Sequence, residues 1–258
     1  MTQPAEGSAA ETEPAEPAEP TDTMPDQVPD GMPYTTPDTM PDTTDRQAVI
    51  DLLGALSYAQ LSGFEALAAD AQVTPNLRAK LSFARLAVSM FLRCERVVER
   101  LEELGVGQEE AMVPFAAAVD SFHQRTAPID WLEGIVKAYV GDGIVRDFYL
   151  DMGQRLTTSD RDFIVGMLSP VAESPAIAVE VLKAVTHDAR VHGRLSLWGR
   201  RILGEALQTV QTVASERDAL AALLAGDESG PDPGETGRLL ARLTEGHTRR
   251  MKALGLSA

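Results

Sequence analysis

Four polar residues stand where an apolar residue is expected, and their types could do chemistry together. Gln60, Arg93, Asp142 and Glu173 each fall in register with an apolar series of their own segment. The series are Val49, Leu53, Leu56, Gln60, Gly63, Leu67; then Phe83, Leu86, Met90, Arg93, Val97, Leu101, Leu104; then Trp131, Ile135, Ala138, Asp142, Val145, Tyr149, Met152. The fourth is Phe163, Met167, Pro170, Glu173 or Ser174, Ile177, Val181. Spacing of three to four residues marks one face of a helix. Mid-helix positions of neighbouring helices meet at similar depth, so a glutamine, an arginine and two carboxylates are expected to face one another. An unpaired charge there costs several kcal/mol, so these groups need partners. One established use of such positions is a di-iron site, in which two helices each give a carboxylate and two others give Glu-x-x-His. The chain contains no Glu-x-x-His. His123, His187, His192 and His247 all fall outside the mid-helix layer, and Glu245-x-His247 has a spacing that splays side chains on a helix. That last pair reads as a solvated face.

The elements that must position these residues are helices. From Arg46 onward the chain is rich in Ala, Leu, Glu and Arg, with little β-branched alternation. The pattern predicts helices at 46–71, 75–104, 108–125, 128–156, 159–187, 190–225 and 235–254. Thr74-Pro75 reads as an N-cap followed by a first-turn proline. Gly105 reads as the C-terminal stop of the second helix. Residues 226–234, GDESGPDPG, read as a linker, and 235–258 as a terminal helix packed on the bundle. Long amphipathic helices with short connections pack side by side, so the predicted fold is all-α, an up-down bundle over 46–225.

The first 45 residues are different. They hold eleven Asp/Glu, no Lys or Arg and nine of the sixteen prolines, and TMPD occurs at 23–26 and again at 39–42. This segment carries −11 of the net −16, which leaves the body near −5. Its composition predicts a disordered acidic tail, since too little apolar surface is present to offset the entropy of ordering. A solubilising extension is the simple reading; docking to a basic protein partner is the other. No signal-peptide pattern opens the chain and no apolar run reaches about 18 residues. Cys94 is the single cysteine, so a cytoplasmic protein without intrachain disulfide or membrane span is expected. The acidic body argues against nonspecific nucleic-acid binding.

Four stretches carry a resemblance: LLGALSYAQLSGFEALAADA (52–71), DWLEGIVKAYVGDGIVRDFY (130–149), RLSLWGRRILGEALQTVQ (194–211) and LTEGHTRRMKALGL (243–256). They resemble the actinobacterial ferritin-like proteins grouped with the tRNA hydroxylase of 2-methylthio-isopentenyl-adenosine, over about residues 46–256. The resemblance implies a ferritin-like bundle and, in metal-bearing members, a carboxylate-bridged di-iron centre that activates oxygen. It also implies where the ligands should fall: the first-helix glutamate on Gln60, the first Glu-x-x-His on Met90 and Arg93, the third-helix carboxylate on Asp142, and the second Glu-x-x-His on Pro170 and Glu173. Only Asp142 and Glu173 of these suit a hard metal. Methionine is too soft, glutamine is a poor neutral ligand, proline has no donor, and arginine stays protonated. Pro170 and Pro175 would also kink or break the helix that presents them.

Two readings of Arg93 follow. Its guanidinium fills the former metal cavity in a buried salt bridge with Asp142 and Glu173, or it snorkels outward over its own stem. Glu205 is a secondary candidate acid or ligand, weighed against an edge-exposed role. Cys94 reads as a buried inert thiol, although Arg93 beside it could lower its pKa. Arg200 and Arg201 beside Trp198, and Arg249, Arg250 and Lys252, are basic spots that could touch RNA phosphate or simply face solvent. The glycines of GDG at 141–143 read as a place of close helix approach or bending. The expected function is therefore a ferritin-like protein without its di-iron site, in a non-catalytic structural, regulatory or partner-binding role. It needs no cofactor, and it has the capacity to pair with a copy of itself. The alternative is a di-iron hydroxylase acting on a modified tRNA base or a small molecule.

Overall fold

The computed structural model describes residues 43–168, 175–225 and 233–258. Among the described residues there are nine helices and no strand. They are α1 Thr43–Asp70, α2 Leu77–Glu103, α3 Gln108–Arg125, α4 Trp131–Gly153, α5 Thr158–Met167, α6 Pro175–His187, α7 Ala189–Glu216, α8 Asp218–Ala225 and α9 Pro233–Ala253. α1 packs on α2 and α3, α4 packs on α7 and α9, and α1 touches α4. The core forms two apolar clusters. One gathers Phe83, Leu86, Val136 and Ile202; the other gathers Leu53, Leu56, Leu101, Phe115 and Met152.

Local chemistry sets the helix ends. The Asp130 carboxylate accepts from Glu133 N at 2.9 Å, and the Glu133 carboxylate accepts from Ile129 N at 3.0 Å, which fixes the start of α4. The same two side chains hold α7: Arg194 donates to Asp130 at 2.6 Å and pairs with Glu133, and Trp198 Nε1 donates to Glu133 O at 2.9 Å. DWLEG and RLSLWGRR thus form one joint between α4 and α7. At Gly105 the backbone takes φ 72°, and Val106 N donates to Leu101 O at 3.0 Å, the hydrogen-bonded stop that a left-handed residue provides.

The predicted segmentation needs three corrections. The cap of α2 is Asn76, which accepts from Ala79 N at 2.9 Å; Thr74 instead donates back to Ala71 O. The single helix expected over 159–187 is two, because α5 stops at Met167 and α6 starts at Pro175. Proline has no N–H and disfavours helical backbone before it, yet suits a first helical position. The helix expected over 190–225 is also two. Arg217 leaves helical geometry (φ −134°, ψ 97°), and its Nε donates at 3.0 Å to the buried carboxylate of Asp51 on α1. No helix of the described residues is long and apolar enough to cross a membrane.

Candidate functional site

Three helices bring four of the sequence-derived positions into the interior. Gln60 of α1, Met90 and Arg93 of α2, and Asp142 of α4 are all buried. Each sits mid-helix on the face that carries Leu56, Val97 or Ala138, so the amphipathic register drags it inward with its neighbours. Arg93 Nη1 donates to Asp142 Oδ1 at 2.6 Å, and it lies 3.9 Å from Met90 Sδ. The pair is dry: the side chains are 6% and 2% exposed. The geometry is a charge-assisted hydrogen bond in a low-dielectric setting, where neither ion would be stable alone. Two buried oxygens beside it, Gln60 Oε1 and Asp142 Oδ2, have no hydrogen-bond partner among the described residues. Pro170 and Glu173 lie outside the described residues, so the expected third member of the salt bridge does too.

The donor set does not fit a di-iron centre. Among the described residues no group of three or more His, Cys, Asp and Glu could hold a metal ion. Of the four interior positions, one is an amide, one a thioether and one a permanent cation, and the single carboxylate has an oxygen committed to that cation.

A cavity of about 210 Å³ adjoins this layer. Gln60, Met90 and Asp142 line it, and so do small residues of α1, Ala55, Ala59, Gly63 and Ala66, whose size leaves the space. Leu52, Met152, Leu220, Leu224 and Leu243 contribute apolar side chains to its wall. Asp70, His123 and Lys137 line it as well, and these sequence reasoning passed over. Lys137 Nζ donates to Thr126 O at 2.8 Å and lies 3.2 Å from His123 Nδ1. Burial lowers Lys137 to about 8, against the opposing pull of Asp70. Burial and then the Lys137 charge lower His123 to about 3, so its ring is neutral and accepts. Burial raises Asp70. The available signal was Lys137 itself, the one cation in LEGIVKAYVGDG.

A family model described as the ferritin-like domain of actinomycetes matches residues 43–227. The chain belongs to that family. No curated protein matches it. The family match ends before α9, which packs on α4 through glycines. At Gly143 a Cβ would overlap the Arg250 guanidinium, and at Gly246 it would overlap the Asp147 carboxylate. Gly143 is therefore a point of close approach, whereas at Gly141 an added Cβ would meet nothing within 4 Å.

The other sequence candidates sort as follows. Glu205 pairs with Arg125 and lies 4.0 Å from Arg201, so it holds α7 to α3 at the edge of this ferritin-like domain. Cys94 is buried, 3.5 Å from Ser57 Oγ, and burial raises its pKa; the adjacent arginine does not activate it. Two readings of the terminal segment are corrected. His247 is 1% exposed rather than on a solvated face, because its side of α9 docks on the bundle. Arg250 is buried and bound to Asp147 at 2.6 Å, so it cannot meet a phosphate, while Arg249 does face solvent.

Proposed function

We propose that this ferritin-like domain has exchanged its di-iron centre for a buried ion pair and acts by binding rather than by oxygen chemistry. The Arg93–Asp142 bond carries the reading. A guanidinium in the metal layer supplies the positive charge that iron would supply, and it forbids metal entry by repulsion and by occupying the carboxylate. The tRNA-hydroxylase relationship suggested by DWLEG and LWGRR is then a relationship of scaffold, since chemistry follows the site and not the fold. The acidic segment 1–45 gives the same protein a means to meet a basic protein partner.

The test is anaerobic loading with ferrous iron, removal of free metal, elemental analysis and an optical spectrum on admission of oxygen. Less than about 0.1 iron per chain is expected, since the donor set offers too few hard ligands. Near two irons per chain with oxo-bridge absorption would sink the proposal and restore the hydroxylase reading.

A further inference from the structure

Among the described residues, one lysine or arginine stands on the wall of the cavity beside the ion pair. Lys137 lies there half-buried, bound among the described residues to the Thr126 carbonyl and the His123 ring, with the Phe122 ring 5.6 Å away. No carboxylate of the described residues lies within 4.0 Å of its ammonium. Asp142, which also lines the cavity, is already taken by Arg93. Past Lys137 the wall turns apolar. From Lys137 to Met152 it follows α4 for about 22 Å at the rise of an α-helix. The unpartnered oxygens of Gln60 and Asp142 are closed off from solvent, so the surface offered along that path is mostly hydrocarbon. A charged head at one end and a mostly apolar, elongated slot behind it describe the ligand.

We propose that the cavity binds a monocarboxylate with an unbranched alkyl chain, its carboxylate paired with Lys137 and its chain laid along α4 toward Met152. This names the ligand class for the binding role above and rests on it, since the slot runs past the layer where iron would otherwise sit. An anion there adds a directly bonded charge partner to an ammonium that now feels only the more distant Asp70 among the carboxylates on the wall. A neutral alcohol would gain only the apolar contacts. An alkylammonium would meet Lys137 head-on and could reach only Asp70 and Asp142.

The test uses decanoate, decanol and decylammonium with the full-length, iron-free chain, read by calorimetry and thermal shift. Decanoate is expected to bind at least about tenfold tighter than decanol at pH 7, a difference of about 1.4 kcal/mol. Its affinity should fall above pH about 8 as Lys137 loses its proton, with decanol unaffected. His123 stays neutral across that range, and Asp70, Asp142 and Tyr149 are the other titratable groups of the described residues on the wall; burial raises Tyr149, so its phenol stays protonated there. K137M should erase the preference for decanoate over decanol. Gly141→Leu should abolish both bindings while keeping the thermal transition, because its side chain projects into open space. Equal binding of decanol and decanoate, tighter binding of decylammonium, an unchanged preference in K137M, or no binding at all would each overturn the inference. Iron content of the same sample separates the two proposals. Near two irons per chain defeats the metal-free reading whatever decanoate does, whereas silent titrations of iron-free protein defeat only the ligand.

Discussion

Helix α4 carries two aspartates five residues apart, Asp142 buried and Asp147 half-buried, each bound to an arginine of another helix at 2.6 Å. Asp142 meets Arg93 of α2; Asp147 meets Arg250 of α9. The bonds match, but the surroundings do not. Around Asp147 the backbones close in, with Gly143 against Arg250 and Gly246 against Asp147, and the pair acts as a clamp between α4 and α9. Around Asp142 small residues leave a cavity, one carboxylate oxygen lacks a partner among the described residues, and Gly141 has open space. Close packing turns an ion pair into structure. Beside a void the same ion pair borders open space instead.

The comparison breaks most visibly through the aspartates. Asp142→Ala strands Arg93 in the dry interior and should cost about 3–5 kcal/mol. Asp147→Ala, whose carboxylate is 22% exposed, should cost about 1–3 kcal/mol. Urea denaturation of both variants measures this, and an equal or reversed order would mean that the two pairs do the same job. Joint replacement of Arg93 by Met and Asp142 by Leu should return stability to within about 1–2 kcal/mol of the parent, since a packed apolar pair substitutes well for a buried ion pair.

Acid sharpens the contrast on the clamp side. His247 lies beside Arg250, and burial, then that charge, lower it to about 4 from an ordinary value near 6.5. Below pH 6.5 the unfolded chain takes up a proton that the folded chain refuses. Stability contributed by neutral His247 is therefore lost as pH falls from about 6.5 to 4, by up to about 3 kcal/mol. His247→Leu should flatten that part of the stability–pH curve, since neither ring nitrogen has a partner among the described residues to lose. The slope that remains should belong to His123 at the cavity. A variant with an unchanged acid slope would show that His247 is solvated.

The glycines of GDG give the smallest effects, of opposite sign. Gly143→Ala forces Arg250 aside and should cost about 1–3 kcal/mol. Gly141→Ala meets nothing and should gain about 0.5–1 kcal/mol from helix propensity alone. Melting temperatures that move together would deny that these positions, two residues apart, face different environments.

The sequence by itself determined which stretches are helical, because 3.6-residue periodicity is a local property, though it missed Asn76 as the cap of α2 and the stop at Met167. It put Gln60, Met90 and Asp142 on faces that must be buried, but it left Arg93 open between a buried pair and an outward snorkel, which the structure resolves inward. It determined that no Glu-x-x-His is available, because that is a matter of composition. Only the tertiary structure decided the break at Arg217, made for a partner 166 residues away, and the burial of His247, which depends on where α9 docks. The cavity and Lys137 belong to the same class. A void is what several helices together fail to fill, and no single stretch of chain records it. Nor does the sequence record that a lysine three residues from a helix-start joint ends up at the edge of that void, facing a carbonyl and an imidazole contributed by another segment.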